Sequence, residues 1–200
     1  MANSSRIAKL AKGKYYKPES TPFGKIQPKQ VQIVKDLLEK DGKLIGYITG
    51  NSIYNQLGLT TQISNTIQIG KNEIRPAFKR ERYIISFVKQ KNTITKENIP
   101  LLQILDAVRY IKKIPDTSVE NASKRLLSIV QNLNDKEKTT LARLALKYPP
   151  ATRAILGAFL EELKVIETAE PLRKSLNPIT IYKLAGIIKV VSAAKNWNIV

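Results

Sequence analysis

The sequence contains no cysteine and no histidine. The first absence removes disulfides, thiolate nucleophiles and thiolate metal ligands. The second removes imidazole ligands and the side chain best suited to acid–base chemistry near neutrality. The lack of cysteine is silent on compartment. Acidic residues are scarce: 16 Asp and Glu stand against 34 Lys and Arg, a formal net charge of +18. That excess points to a polyanionic partner, either nucleic acid or an acidic protein surface, although charge alone selects neither fold nor ligand. No apolar run approaches the roughly 18 residues of a membrane span. Residues 1–14 are basic without the apolar segment of a secretory signal. A cytoplasmic protein with no membrane contact is expected. No repeat of fixed period is visible.

Catalytic constellations are also missing. Gly46-Tyr47-Ile48-Thr49-Gly50 lacks the spacing and the Lys-Ser/Thr ending of a phosphate-binding loop, and there is no dinucleotide fingerprint, nucleophile elbow or zinc ligand set. The remaining option is a carboxylate–metal site built from Asp36, Asp41, Asp106 or Asp116, and nothing in the sequence brings these together. The expectation is a protein that is not an enzyme, with no catalytic residues, no metal and no cofactor.

What is present is organised around residues 46–62, GYITGNSIYNQLGLTTQ. Residues 44–48 form a short apolar run that ends at Gly50 and Asn51. Residues 52–57 follow as a short helix, with Ile53 and Leu57 four apart on one face, and Gly58 stops it. Gly50 suits a positive φ, Asn51 or Ser52 a helix cap, and Gly58 the position after the helix. Upstream, two short runs around Lys12-Gly13-Lys14 read as a hairpin with Tyr15 and Tyr16 on the return strand. Residues 19–27, with Pro22 and Gly24, read as a linker. A helix is expected over 28–40, with Val31, Val34, Leu37 and Leu38 on its apolar face and Gly42 as its stop.

Downstream, residues 65–69 and 83–88 alternate or run as strands. The short distance between them favours antiparallel pairing. Arg75, Lys79, Arg80, Arg82, Lys89 and Lys91 make this the densest basic stretch, with Phe78 and Tyr83 interleaved. It suits a nucleic-acid surface, or equally a charged hairpin that guards a sheet edge. Beyond residue 93 the periodicity is helical: 98–113, a helix beginning at 116–118, 136–147, 151–163, a short helix or turn over 171–176, and a last helix after Asn177-Pro178 carrying Ile181, Leu184, Ile187, Ile188 and Val191. Asn134 and Glu137 have capping-box spacing. Asp106 lies within the first of these helices and pairs with Arg109 or Tyr110, or braces a loop of the sheet. Trp197 is placed to staple the tail to the bundle.

The central block, together with LAKGKYYKP (10–18), NIPLLQILDAVRYIKKIP (98–115), KYPPATRAIL (147–156) and LRKSLNPITIYKL (172–184), resembles the AbiEi-like type IV antitoxins of abortive-infection systems and a related bacterial family found beside nucleotidyltransferase-type toxins. The resemblance spans most of the chain. It implies an α+β protein: a wing remnant of a winged helix at 1–18, a linker at 19–27, an α+β core with a small mixed or antiparallel sheet at 28–115, and a helical region at 116–200. It implies an antitoxin-like regulator in a toxin–antitoxin or phage-defence module. Its partners would be a nucleotidyltransferase-type toxin, opposed with or without direct contact, and promoter DNA of its own operon. Lys9, Lys12, Lys14 and Lys17 of the wing-like hairpin are the DNA candidates beside Arg75 to Lys91. Relatives carry a helix-turn-helix ahead of the wing. Only residues 1–4 precede it here, which favours the toxin-opposing role over sequence-specific repression. A general nucleic-acid-binding protein and a non-enzymatic interaction module, including a homo-oligomer through the C-terminal helices, are the other two readings.

Overall fold

The computed structural model describes residues 29–200, and of residues 1–28 the backbone pairing of four short strands. β1 (Ala8–Ala11) and β2 (Lys14–Tyr16) pair antiparallel, with Ala8 opposite Tyr16 and Ala11 opposite Lys14. This is the hairpin the sequence predicts. β3 (Ser20–Thr21) and β4 (Gly24–Lys25) form a second small pair, in a stretch expected to be linker.

The helix expected over 28–40 is instead two four-residue pieces, α1 (Gln30–Ile33) and α2 (Lys35–Leu38), separated at Val34 with φ −113° and ψ 13°. The cause is a competing donor. A continuous helix would give the Ile33 carbonyl to the Leu37 N–H. Here that carbonyl accepts from Arg80 Nη1 at 2.7 Å, and the Leu37 N–H turns to the Val34 carbonyl at 2.8 Å. Ile33, Val34 and Leu37 are buried, while Val31 is exposed. Gly42 does not stop a helix. With Asp41 (φ 50°) it turns a hairpin between β5 (Glu39–Lys40) and β6 (Lys43–Leu44) at φ 74°, the Asp-Gly pair that two-residue hairpin turns favour.

The central block forms as expected. β7 (Gly46–Thr49) runs into α3 (Asn51–Gln56), with Gly50 at φ 75° before the helix and Gly58 at φ 70° after it. The cap is Gly50 itself, with no side-chain bond, so neither Asn51 nor Ser52 serves as the cap. The hydroxyl of Ser52 instead donates to Gln30 Oε1. β8 (Thr66–Lys71), β9 (Phe78–Arg80) and β10 (Tyr83–Lys89) complete a mixed four-stranded sheet in the order β7-β8-β10-β9. β7 is antiparallel to β8. β8 and β10 are parallel, with Ile67 opposite Ile85, where the short separation suggested an antiparallel pair. The return strand is β9, which pairs antiparallel on the outer side of β10 and so lets β10 run in the direction of β8. Ile48, Ile53, Ile67, Ile69 and Ile85 pack with Ile33, Val34 and Leu37 into a first core.

A second, larger core lies among helices. These are α4 (Asn98–Arg109), continued by a 3₁₀ turn over Ile111–Lys113, α5 (Val119–Gln131), α6 (Asp135–Ala145), α7 (Pro150–Glu162) and α8 (Ile166–Lys174). Ser118 caps α5. Asn134 and Glu137 close the predicted capping box on α6, with both bonds at 2.9 Å. Leu102, Leu105, Leu126, Leu141, Leu144, Leu156 and Phe159 are fully buried in this core. Tyr47, Tyr54 and Leu59 of the central block also belong to it, so the block touches both cores.

Two helical expectations are corrected. α8 is longer than the expected 171–176 and runs through Pro171, because Ala169 and Leu172 on either side of the proline are buried against the bundle. The helix expected after Pro178 does not form. The Asn177 side chain accepts from the Ile179 N–H, and Tyr182 exchanges backbone bonds with the C-terminal residues: Tyr182 N–H to Asn198 O at 2.8 Å and Val200 N–H to Tyr182 O at 2.9 Å. The β-branched run is thereby held extended. Only 3₁₀ turns follow, over Ile187–Lys189 and Ser192–Trp197. Trp197 does staple the tail: it is buried, and its indole N–H donates to Glu161 Oε2 at 2.8 Å. The molecule is α+β. Among the described residues no helix is long and apolar enough to cross a membrane.

Candidate nucleic-acid interface

The joint between sheet and bundle is a buried polar network centred on Asp106, which is fully buried on α4. Its Oδ2 accepts from Tyr47 Oη at 2.8 Å and Thr49 Oγ1 at 2.9 Å, both on β7. Its Oδ1 accepts from Tyr148 Oη at 3.0 Å, in the α6–α7 connection. Gln90, just past β10, donates through Nε2 to both phenol oxygens, at 2.9 Å to Tyr47 and 2.8 Å to Tyr148. Gln90 Oε1 accepts from the Asn92 backbone N–H and side-chain amide, and Asn92 also reaches the Leu144 carbonyl at 3.0 Å. Asp106 thus braces the sheet, as one sequence reading allowed, and does so through the strand and not through Arg109 or Tyr110.

Burial pushes the Asp106 carboxyl above its usual range, opposed by the three hydroxyl donors and by Arg109. Burial, and then the nearby Asp106, push the Tyr47, Tyr54 and Tyr148 phenols up as well, so all three remain protonated and Tyr47 and Tyr148 serve as donors. With no exposed surface on Asp106, this arrangement is a brace and offers no route for an outside substrate to reach the carboxyl. The other candidate aspartates lie elsewhere: Asp36 pairs with Arg80, while Asp41 and Asp116 sit at positive φ in turns. Among the described residues no group of three acidic side chains is placed to hold a metal ion.

The predicted basic residues divide into two sets. At the outer end of the sheet, Arg80 is 8% exposed. It forms a forked pair with Asp36 at 2.7 and 3.1 Å, besides its bond to the Ile33 carbonyl. That guanidinium holds α1 and α2 against the sheet. Arg75 lies over the stacked rings of Phe78 and Phe87, 4.6 and 5.3 Å from their centroids. Arg82 lies over Tyr83 and donates to its hydroxyl at 2.7 Å. Lys79 is exposed between them. At the opposite end of β10, Lys89 and Lys91 flank the buried Gln90 and are both exposed. They border a cleft of about 500 Å³ with Arg109, Lys147 and Arg153. Lys12 and Lys17 lie outside the described residues, and of Lys9 and Lys14 only the strand backbone is described.

Arg109, Lys147 and Arg153 were not expected in this role. The available signal is the acid-free stretch 138–160, in which Arg143, Lys147 and Arg153 carry charge without a nearby carboxylate. Its proximity to Lys89 and Lys91 depends on tertiary structure. A second concavity of about 600 Å³ lies between α1, β7 and α3, with Lys29 as its one charged lining residue. Comparison of the chain with protein-family profiles, curated proteins and solved structures gives no match.

Proposed function

We propose that this chain is a non-enzymatic, cytoplasmic regulator of the type IV antitoxin kind, which opposes a nucleotidyltransferase-type toxin and meets nucleic acid through its basic surface. The resemblance of the central block to AbiEi-like antitoxins supports the antitoxin role. The observation that carries the nucleic-acid role is the cluster of five basic side chains around one cleft with no acidic residue in its lining. Concentrated positive charge on one surface attracts the phosphate backbone and gives affinity independent of sequence. The reading involves no cofactor and no catalytic step.

Co-expression with a nucleotidyltransferase-type toxin tests the antitoxin role. Growth restored by the chain supports the reading, and arrest that persists while the chain accumulates in soluble form overturns it. A second reading, a nucleic-acid-binding protein unconnected with a toxin, rests on the same cleft and survives that failure.

A further inference from the structure

We propose that the cleft bounded by Lys89, Lys91, Arg109, Lys147 and Arg153 is a phosphate-binding site. The inference rests on the nucleic-acid reading above and narrows it to one place and one chemistry.

Three separate pieces of chain build the cleft. The end of β10 and the residues just past it supply Lys89 and Lys91, the last turn of α4 supplies Arg109, and the α6–α7 connection with the first turn of α7 supplies Lys147 and Arg153. No Asp or Glu lines it, and none of the five cations forms a salt bridge among the described residues. The Asp106 carboxyl is not part of the lining, and its oxygens accept from the Tyr47, Thr49 and Tyr148 hydroxyls. Five like charges around a concave space repel one another, and an entering anion relieves that repulsion.

The cations are also positioned. Arg153 Nη1 donates to the Ser175 carbonyl at 2.8 Å, and its Nε–H is buried with no acceptor among the described residues, so the guanidinium is held without being neutralised. The Arg109 guanidinium rests 5.0 Å from the Tyr110 ring centroid. Pro149 and Pro150, at the N-terminus of the 13-residue helix α7, line the same space, where the helix adds its positive partial charge. The floor is Gln90 and Tyr148, both buried and fixed by the Asp106 brace. A rigid floor under pre-held cations is suited to a compact, highly charged, multi-oxygen anion. Guanidinium groups match phosphate in forked geometry, and lysines add point charge. The volume accepts a phosphate with its sugar, either from a nucleic-acid strand or from a free nucleotide.

The test uses the full chain and three probes: a fluorescein-labelled single-stranded oligonucleotide, ATP and inorganic pyrophosphate. K89A/K91A/K147A removes three exposed cations from the cleft, and K124A/K136A/K195A removes three exposed cations elsewhere as a charge-matched control. Anisotropy is expected to show at least a tenfold loss of oligonucleotide affinity for the cleft variant, with a salt slope shallower by about 2, from three contacts at about 0.7 each. The control is expected to lose less than about threefold by the same sequence-independent screening. Displacement of the oligonucleotide by pyrophosphate from the wild type and not from the cleft variant supports the site. If ATP binds in a cleft-dependent way while the oligonucleotide does not bind, the phosphate site stands with a free nucleotide as its source, and the nucleic-acid reading fails. Equal losses in the two variants, or no binding of any probe, overturn the site.

Discussion

Replacing Tyr148 with Phe removes one oxygen from the buried brace and leaves its shape in place. In the wild type that hydroxyl donates to Asp106 Oδ1 at 3.0 Å and accepts from Gln90 Nε2 at 2.8 Å. The ring is buried in the helical core, so Phe fills the same volume and no cavity term enters. Gln90 Nε2 keeps its second acceptor, the Tyr47 hydroxyl. Asp106 Oδ1 loses its hydroxyl partner, and leaving a buried polar atom without its partner costs about 1–3 kcal/mol. The expected loss is about 2 kcal/mol, roughly a 30-fold fall in the folding equilibrium constant, with Tm lower by about 4–8 °C for a chain of this length. Urea unfolding at pH 7 followed by circular dichroism measures it, with an unchanged slope and a lower midpoint. A loss below about 0.5 kcal/mol at pH 7, within the range of an ordinary surface change, refutes the argument that the buried Asp106 carboxyl depends on this hydroxyl.

Three further outcomes follow from the same geometry. Burial raises the Asp106 carboxyl, so above the ordinary carboxylate range the folded chain retains a proton that the unfolded chain releases. Its contribution to stability is therefore fully present at low pH and is lost as pH rises through the raised value, by at most about 1.4 kcal/mol per pH unit. Urea midpoints from pH 4 to 8 are expected to show that decline in the wild type and not in Asp106→Asn, and parallel curves would refute it. Gly157→Ala would place a methyl group 2.2 Å from the Trp197 ring, so the ring must move, at a cost of about 1–3 kcal/mol. As Trp197 is the sole tryptophan, a red-shifted emission maximum reports the move directly, and unchanged emission and stability would contradict the packing. Arg80→Ala is expected to destabilise the chain by about 1–3 kcal/mol, since it orphans the Ile33 carbonyl and removes the Asp36 pair. A variant that loses nucleic-acid affinity while keeping its unfolding midpoint would reassign Arg80 to the interface.

Local signals were legible in the sequence, and long-range ones were not. Gly50 and Gly58 announce the turn and stop of α3 because the backbone there needs positive φ. Asn134 with Glu137, and Pro149 with Pro150, mark helix starts by chemistry confined to one turn. The parallel pairing of β8 with β10 was hidden, since the insertion of β10 between β8 and β9 leaves no mark in either strand's own residues. The break at Val34 was hidden for the same reason: its cause, Arg80, lies 47 residues from the Ile33 carbonyl it holds. The stretch after Pro178 carries helical spacing, yet its backbone bonds go to the C-terminal tail, and periodicity alone does not register that competitor. At the candidate site, Lys89 and Lys91 were visible as part of a basic run, whereas Arg109, Lys147 and Arg153 join them only through the docking of α4 and α7. Asp106 was visible as a charge inside an apolar stripe, and its partners on β7 and before α7 were not.

The central claim, that the basic surface meets nucleic acid, is tested most directly by binding of the whole chain to its own promoter DNA and to unrelated duplex DNA across salt concentrations. The account predicts binding to both at low salt, with log affinity falling against log salt at a slope of about −3 or steeper, the value for three or more neutralised phosphates. Absence of binding to either DNA at about 50 mM salt, or an affinity indifferent to salt, would contradict it.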